Sequence, residues 1–165
     1  MTTTYLRFDT PLGPMLAIAK DGALLSLDFT DAKYARLIGD DWREAPDSPL
    51  LGECARQLGE YFAGKRRDFD LPLAAEGTAF QHSVWEAIAR IPYGRTASYS
   101  ELAAACGAPG SARAAGAATG RNPLAIVVPC HRVVGAHGDL TGYAGGIERK
   151  VHLLTLEGVL QESLV

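Results

Sequence analysis

The chain has 165 residues, nearly half of them apolar, with a net charge of −3. That is enough for one compact domain or two small ones with a real core. Its longest apolar runs, such as 125–128, are too short to span a bilayer, and residues 1–10 lack the apolar stretch of a signal peptide; the expected location is cytoplasmic.

The opening third reads as β. Strands are expected over Thr4–Asp9, Met15–Lys20 and Leu24–Phe29, with Pro11-Leu12-Gly13-Pro14 and Asp21-Gly22 between them. Asp-Gly between two such runs is a strong hairpin signal. Leu50–Phe62 has helical spacing, with Asp47 or Ser48 as cap and Gly64 beyond it, and Phe69–Leu73 offers one more strand. No chemical constellation stands out here, so residues 1–75 read as an α/β scaffold and 76–165 as a second domain.

From Thr78 the pattern turns helical. Thr78 caps a helix to about Ala89, with Phe80, Val84, Trp85 and Ile88 on one face, and Ile91-Pro92-Tyr93-Gly94 ends it. Ser98-Tyr99-Ser100-Glu101 is a capping box for a helix from Tyr99 to Cys106. After Gly107-Ala108-Pro109-Gly110, Ser111 caps another, from Ala112 to about Gly120. Two short helices across a Gly/Pro turn form a helix-turn-helix signature, which an αα-hairpin in an ordinary core shares. In the second helix Arg113 is the single long side chain among alanines and Gly116. Such a face suits close approach by a base edge or tight helix packing. Next, Ala125–Val128 reads as a buried strand-like run leading to Pro129-Cys130-His131-Arg132. A loop or wing with five glycines spans Gly135–Gly146, and an amphipathic helix follows from Ile147 to Glu157, with Leu153, Leu154 and Leu156 on its apolar side and Gly158 at its end.

Charge is unevenly placed. Residues 1–77 carry 9 basic and 13 acidic side chains, whereas 78–165 carry 7 and 6. Between Gln81 and Arg132, five arginines (Arg90, Arg95, Arg113, Arg121 and Arg132) face only Glu86 and Glu101. A basic surface of this kind fits modest nucleic-acid binding, and equally five solvated side chains. Cys54, Cys106 and Cys130 are odd in number, without C-x-x-C spacing, which disfavours a disulfide framework or a zinc ribbon. Cys54 and Cys106 fit small buried hydrophobes. At Cys130, Pro129 constrains the backbone while His131 and Arg132 add a base and a cation. A thiolate nucleophile and a buried structural thiol both fit those local features. His82, His137 and His152 are scattered, so no metal site is expected.

Pro129-Cys130-His131-Arg132-Val133-Val134-Gly135 resembles the active-site signature of the O6-alkylguanine-DNA alkyltransferases (methylated-DNA–protein-cysteine methyltransferases). The likeness runs from Thr78 to Gly158 through Phe80-Gln81, Trp85, Ile91-Pro92-Tyr93-Gly94, Ser98-Tyr99, Ser111–Gly116, Gly120-Arg121-Asn122-Pro123, Gly142–Gly146, Lys150 and Glu157-Gly158. It implies an α+β protein: a small antiparallel sheet plus helix (ribonuclease-H-like), then a mostly helical, winged-helix-like domain with a helix-turn-helix. It implies direct-reversal repair, with Cys130 accepting the alkyl group once and irreversibly from O6-alkylguanine in double-stranded DNA. O4-alkylthymine activity is left open.

The residue roles follow from the same resemblance. Cys130 would be activated through His131 by a hydrogen-bond chain, via water, to Glu157, while Asn122 braces the preceding turn. The target base must leave the stack, and Arg113 would fill the gap. Tyr99 would contact the flipped base, and Tyr99 and Lys150 would stabilise charge developing on the guanine oxygen. Ser98, Ala112, Ala114 and Arg121 would meet DNA through the minor groove, whose degenerate code suits sequence-independent binding. Val133, Tyr143, Ala144 and Gly145 would line the base pocket. No cofactor is implied, and the protein is expected to act as a monomer, with cooperative loading on DNA left open. Ala115 and Ala144 depart from family members that carry Val and Ser. Three other classes compete: a papain-like hydrolase, whose His and Asn lie far downstream of the nucleophile; a helix-turn-helix damage sensor without chemistry; and a purely structural domain.

Overall fold

The structure is a computed structural model that describes residues 2–161. The chain divides into two compact units, up to Glu76 and from Gly77.

In the first unit, β1 (Thr4–Phe8), β2 (Met15–Lys20), β3 (Ala23–Phe29) and β4 (Arg43–Glu44) form a sheet in the order β3-β2-β1-β4. The first three strands pair antiparallel, and the two-residue β4 joins β1 in parallel. The β2–β3 connection places Asp21 at φ 53° and Gly22 at φ 79°. Positive φ at both central residues is the primed turn that matches strand twist. β2 is buried along nearly its whole length because both faces of the sheet are covered. Helix α1 (Pro49–Phe62) packs against β1, β2 and β3. Leu16, Ile18 and Leu25 form a separate cluster with Tyr5, Ile38 and Trp42. Ser48 caps α1 by accepting from the Leu51 N–H, with Pro49 in the first turn, where its missing donor costs nothing.

The strand expected over Phe69–Leu73 is not formed. The buried Gln57 side chain donates to the Asp70 carbonyl and accepts from the Asp70 N–H, as a neighbouring strand would. Only Leu24 then bridges Leu73, through the Leu24 N–H to the Pro72 carbonyl and the Ala74 N–H to the Leu24 carbonyl.

In the second unit, α2 (Ala79–Ala89) starts at a Thr78–Gln81 capping box and α3 (Tyr99–Ala105) at a Ser98–Glu101 box. Helix α4 (Ala112–Gly120) follows a turn with Gly107 and Gly110 at positive φ. Ser111 precedes α4, but its side chain makes no cap hydrogen bond. The three helices pack on one another, and Trp85 Nε1 donates to the Ala118 carbonyl at 2.9 Å. On α2, Val84, Trp85 and Ile88 are buried, whereas Phe80 is 37% exposed and leaves the expected face incomplete. α4 buries Ala115, Ala118 and Thr119 and exposes Arg113, Ala114 and Ala117.

A short parallel pairing positions the chemistry. β5 (Ala97–Ser98) aligns with β6 (Val133–Val134), which ties the start of α3 to the segment just after Cys130. The run Ala125–Val128 is a tight turn rather than a strand. The Val127 N–H donates to the Ala125 carbonyl, the Val128 N–H to the Leu124 carbonyl, and Ile126 sits at φ 71°. A β-branched residue at positive φ persists only where its surroundings fix it. Helix α5 (Ile147–Leu156) ends at Glu157, followed by Gly158 at φ 82°, the left-handed position that favours glycine.

Candidate active site

Cys130 opens a single 3-10 turn, Cys130–Arg132, and is 7% exposed. Its N–H donates to the Val128 carbonyl, which also accepts from Asn122 Nδ2 at 2.8 Å. Asn122 Oδ1 accepts from the Leu124 N–H at 3.0 Å. One buried side chain thus holds both ends of the 122–128 turn and sets the thiol's anchor point.

The residue after Cys130 belongs to a fully buried acid–base pair. His131 Nε2 and Glu157 Oε2 are 2.7 Å apart, and neither side chain is exposed. His131 Nδ1 is buried with no protein hydrogen-bond partner. Burial holds the imidazole below its ordinary pKa, outweighing the pull of Glu157 in the other direction; Arg132 and Lys150 act with burial. The ring is therefore neutral, with one donor and one acceptor nitrogen. With Nε2–H donated to the carboxylate, Nδ1 carries the lone pair.

Arg132 is a site residue that sequence reasoning counted as a surface base and as a cation beside Cys130. Its guanidinium turns inward instead. Nε donates to Glu157 Oε1 at 2.7 Å, one terminal nitrogen to Glu157 Oε2 at 3.0 Å, and the other to the Ile91 carbonyl at 2.7 Å. It also lies 5.6 Å from the centre of the Tyr93 ring. Glu157 is buried, and a carboxylate out of water needs such donors.

Lys150 is a buried cation whose charge is felt at Cys130. Burial lowers its ammonium pKa, and the nearby Cys130 charge raises it. Its Nζ donates to the Val133 carbonyl at 2.6 Å and the Thr141 carbonyl at 3.2 Å. The Thr141 hydroxyl in turn donates to Tyr99 Oη at 3.2 Å. Thr141, which the sequence did not single out, thus joins the glycine-rich segment to both Tyr99 and Lys150. The Tyr99 ring lies beside Gly116, where a Cβ would meet it at 3.5 Å.

Tyr143, Ala144 and Gly145 are half-buried, and the Gly145 carbonyl accepts from Arg149. Ser98 spends its hydroxyl oxygen on the Glu101 N–H. Arg113 and Ala114 are exposed on α4, Ala112 is half-buried at its start, and Arg121 is exposed at its C-cap. The other thiols differ in kind: burial pushes Cys54 up to about 12 and also raises Cys106. Both remain protonated at neutral pH and are poor nucleophiles.

Comparison with known proteins covers both units. The family model for the 6-O-methylguanine DNA methyltransferase ribonuclease-like domain matches residues 2–75, and that for the DNA binding domain of the same family matches 79–159. The methylated-DNA–protein-cysteine methyltransferase of Methanosarcina acetivorans is 47% identical over 154 residues, covering 93% of this chain and 97% of its own. The constitutive enzyme of Bacillus subtilis is 43% identical, covering 94% and 95%. Among solved structures, Mycobacterium tuberculosis OGT in complex with DNA superposes with a TM-score of 0.84 at 47% identity, covering 93% of this chain and 92% of that one. The O6-methylguanine methyltransferase of the same organism gives 0.86 at 43%, covering 99% and 98%. With both domain models matched and relatives this similar along most of its length, the chain belongs to the 6-O-methylguanine DNA methyltransferase family.

Proposed function

We propose that this chain repairs O6-alkylguanine in double-stranded DNA by one irreversible transfer of the alkyl group to Cys130. The observation that carries this reading is the buried His131–Glu157 pair, whose imidazole follows Cys130 in the same 3-10 turn, with Nδ1 left without a hydrogen-bond partner.

The thiol proton passes to His131 Nδ1, directly or across one water, and Glu157 offsets the imidazolium that forms. The Cys130 thiolate attacks the alkyl carbon, an S–C bond forms, the C–O6 bond breaks, and its electron pair goes to O6. The purine anion then takes up a proton to become guanine. Tyr99 and Lys150 offset the charge as it develops: two of the three Lys150 donors are spent on carbonyls, which leaves the third for substrate. A thioether offers water no ready leaving group, so the protein is spent after one transfer.

The base must be turned out of the stack to reach a thiol this buried. Arg113 is exposed on a helix face of small residues, and its planar cation can occupy the vacated stack. Ser98, Ala112, Ala114 and Arg121 flank it as contacts to the minor-groove side, with no demand on sequence, in a monomeric protein. Val133 and Tyr143–Gly145 form the wall of the base pocket.

Incubation with duplex DNA carrying one O6-methylguanine, read by intact protein mass, tests this. The expected result is a gain of one methyl on Cys130 and none in Cys130→Ser. DNA binding without any gain in mass would leave a damage sensor and overturn the transferase reading.

A further inference from the structure

Glu157 Oε1 accepts from Arg132 Nε and Oε2 from a terminal nitrogen of Arg132, while His131 Nε2 lies 2.7 Å from Oε2. The fork-to-fork geometry occupies the carboxylate so fully that a proton on either oxygen would meet a donor already in place. A Glu157 held anionic can only accept, so the proton shared with His131 must sit on Nε2. The neighbouring His131 atom, Nδ1, is then the sole basic nitrogen of the ring.

We propose that Arg132 is a positioning residue that keeps Glu157 anionic and thereby fixes His131 as the Nε2–H tautomer, with Nδ1 as the base toward Cys130. This rests on the alkyl-transfer reading above. Arg132 never meets the thiol or the substrate on this account; it acts on them chiefly through Glu157, beside the direct effect of its charge, which lowers the His131 pKa. Its remaining contacts, to the Ile91 carbonyl and the Tyr93 ring, anchor the guanidinium at the end of α2 and so hold the fork in register with the carboxylate. A lysine could supply the charge but only one of the two parallel bonds.

The test is a double-mutant cycle with O6-benzylguanine as free substrate, which removes DNA binding and base flipping from the measurement. In the wild-type background R132M should slow transfer about 10²-fold, the scale of a misplaced general base. In the E157Q background R132M should slow transfer by far less than in wild type, because its main route to the thiol is already cut and only the direct charge of Arg132 on His131 remains. The ring tautomer is read separately, from 15N chemical shifts of labelled His131. Wild type should show one Nε2–H tautomer and R132M a mixture. R132K keeps the test open if R132M strands the buried carboxylate and fails to fold. It should retain the single tautomer and slow transfer by less than R132M would, with no effect in E157Q. Equal slowing in both backgrounds, or an unchanged tautomer in R132M, would falsify the proposal and leave Arg132 a packing residue. Absence of transfer in wild type would sink the alkyl-transfer reading instead, while the tautomer measurement still decides the role of Arg132.

Discussion

At the scale of single residues the site turns on the protonation state of His131. Its folded pKa lies below the ordinary value of 6.5, chiefly through burial. Between that lowered pKa and 6.5 the unfolded chain binds more protons than the folded one. Stability contributed by this residue is therefore complete above 6.5 and drains away as pH falls through the folded pKa. Two outcomes follow for the wild type. Transfer to Cys130 should persist below pH 6.5, because the base is still neutral there, and the melting temperature should fall over the same descent. A transfer rate that halves at pH 6.5, as for a solvated imidazole, would contradict the burial argument. Glu157→Gln gives a second check. It removes the hydrogen bond and charge that raise the His131 pKa, which weakens the base rather than exhausting it at acid pH. The rate should drop across the whole pH range, by about 10²–10⁴-fold, with no displacement of the acid limb to higher pH.

At the scale of elements, what holds the thiol in place is a turn built by one side chain. Asn122→Ala would delete its bonds to Val128 and Leu124 and leave the buried Leu124 N–H without its acceptor, while the Val128 carbonyl keeps the Cys130 N–H. The expected cost is about 1–3 kcal/mol by urea unfolding. Transfer should slow as well, since Cys130 hangs from the same Val128 carbonyl. Unchanged transfer in a folded, destabilised variant would show that the turn matters only to stability. This turn also marks where the sequence stops being legible. The Asp21-Gly22 hairpin and the Thr78 and Ser98 boxes could be read directly because their signals are complete within four residues. Ala125–Val128 looked like a strand because an apolar run carries no trace of the amide that bends it or of the positive φ at Ile126. Phe69–Leu73 failed similarly: Gln57 satisfies the backbone at Asp70 from thirteen residues away. In the candidate site, Cys130, His131 and Glu157 were legible through the family signature. The partnership of Arg132 with Glu157 was not, because it joins residues 25 apart and neither polarity nor spacing announces it.

At the scale of the whole molecule, a protein of net charge −3 meets a polyanion through a small set of cations. Burial of Arg132 against Glu157 removes one of the five arginines read from the sequence. Arg90, Arg95, Arg113 and Arg121 remain exposed. Each phosphate neutralised contributes about −0.9 to the slope of log affinity against log salt. With Arg113 assigned to the base stack, the other three bound the slope near −2.7, a loss of about 40-fold in affinity between 50 and 200 mM salt. The two arginines of α4 and its cap should separate in this measurement. Arg121 would act as a phosphate contact, so Arg121→Ala should make the slope shallower by about 0.9 and weaken binding equally on any sequence. Arg113 would stack in place of the displaced base, so Arg113→Ala should leave the slope unchanged. It should nevertheless slow repair of duplex DNA far more than reaction with free O6-benzylguanine, because only the duplex requires flipping. If Arg113→Ala instead lowered the slope and left duplex repair at the wild-type rate, its charge would be spent on the backbone. Another group would then have to hold the base out of the stack.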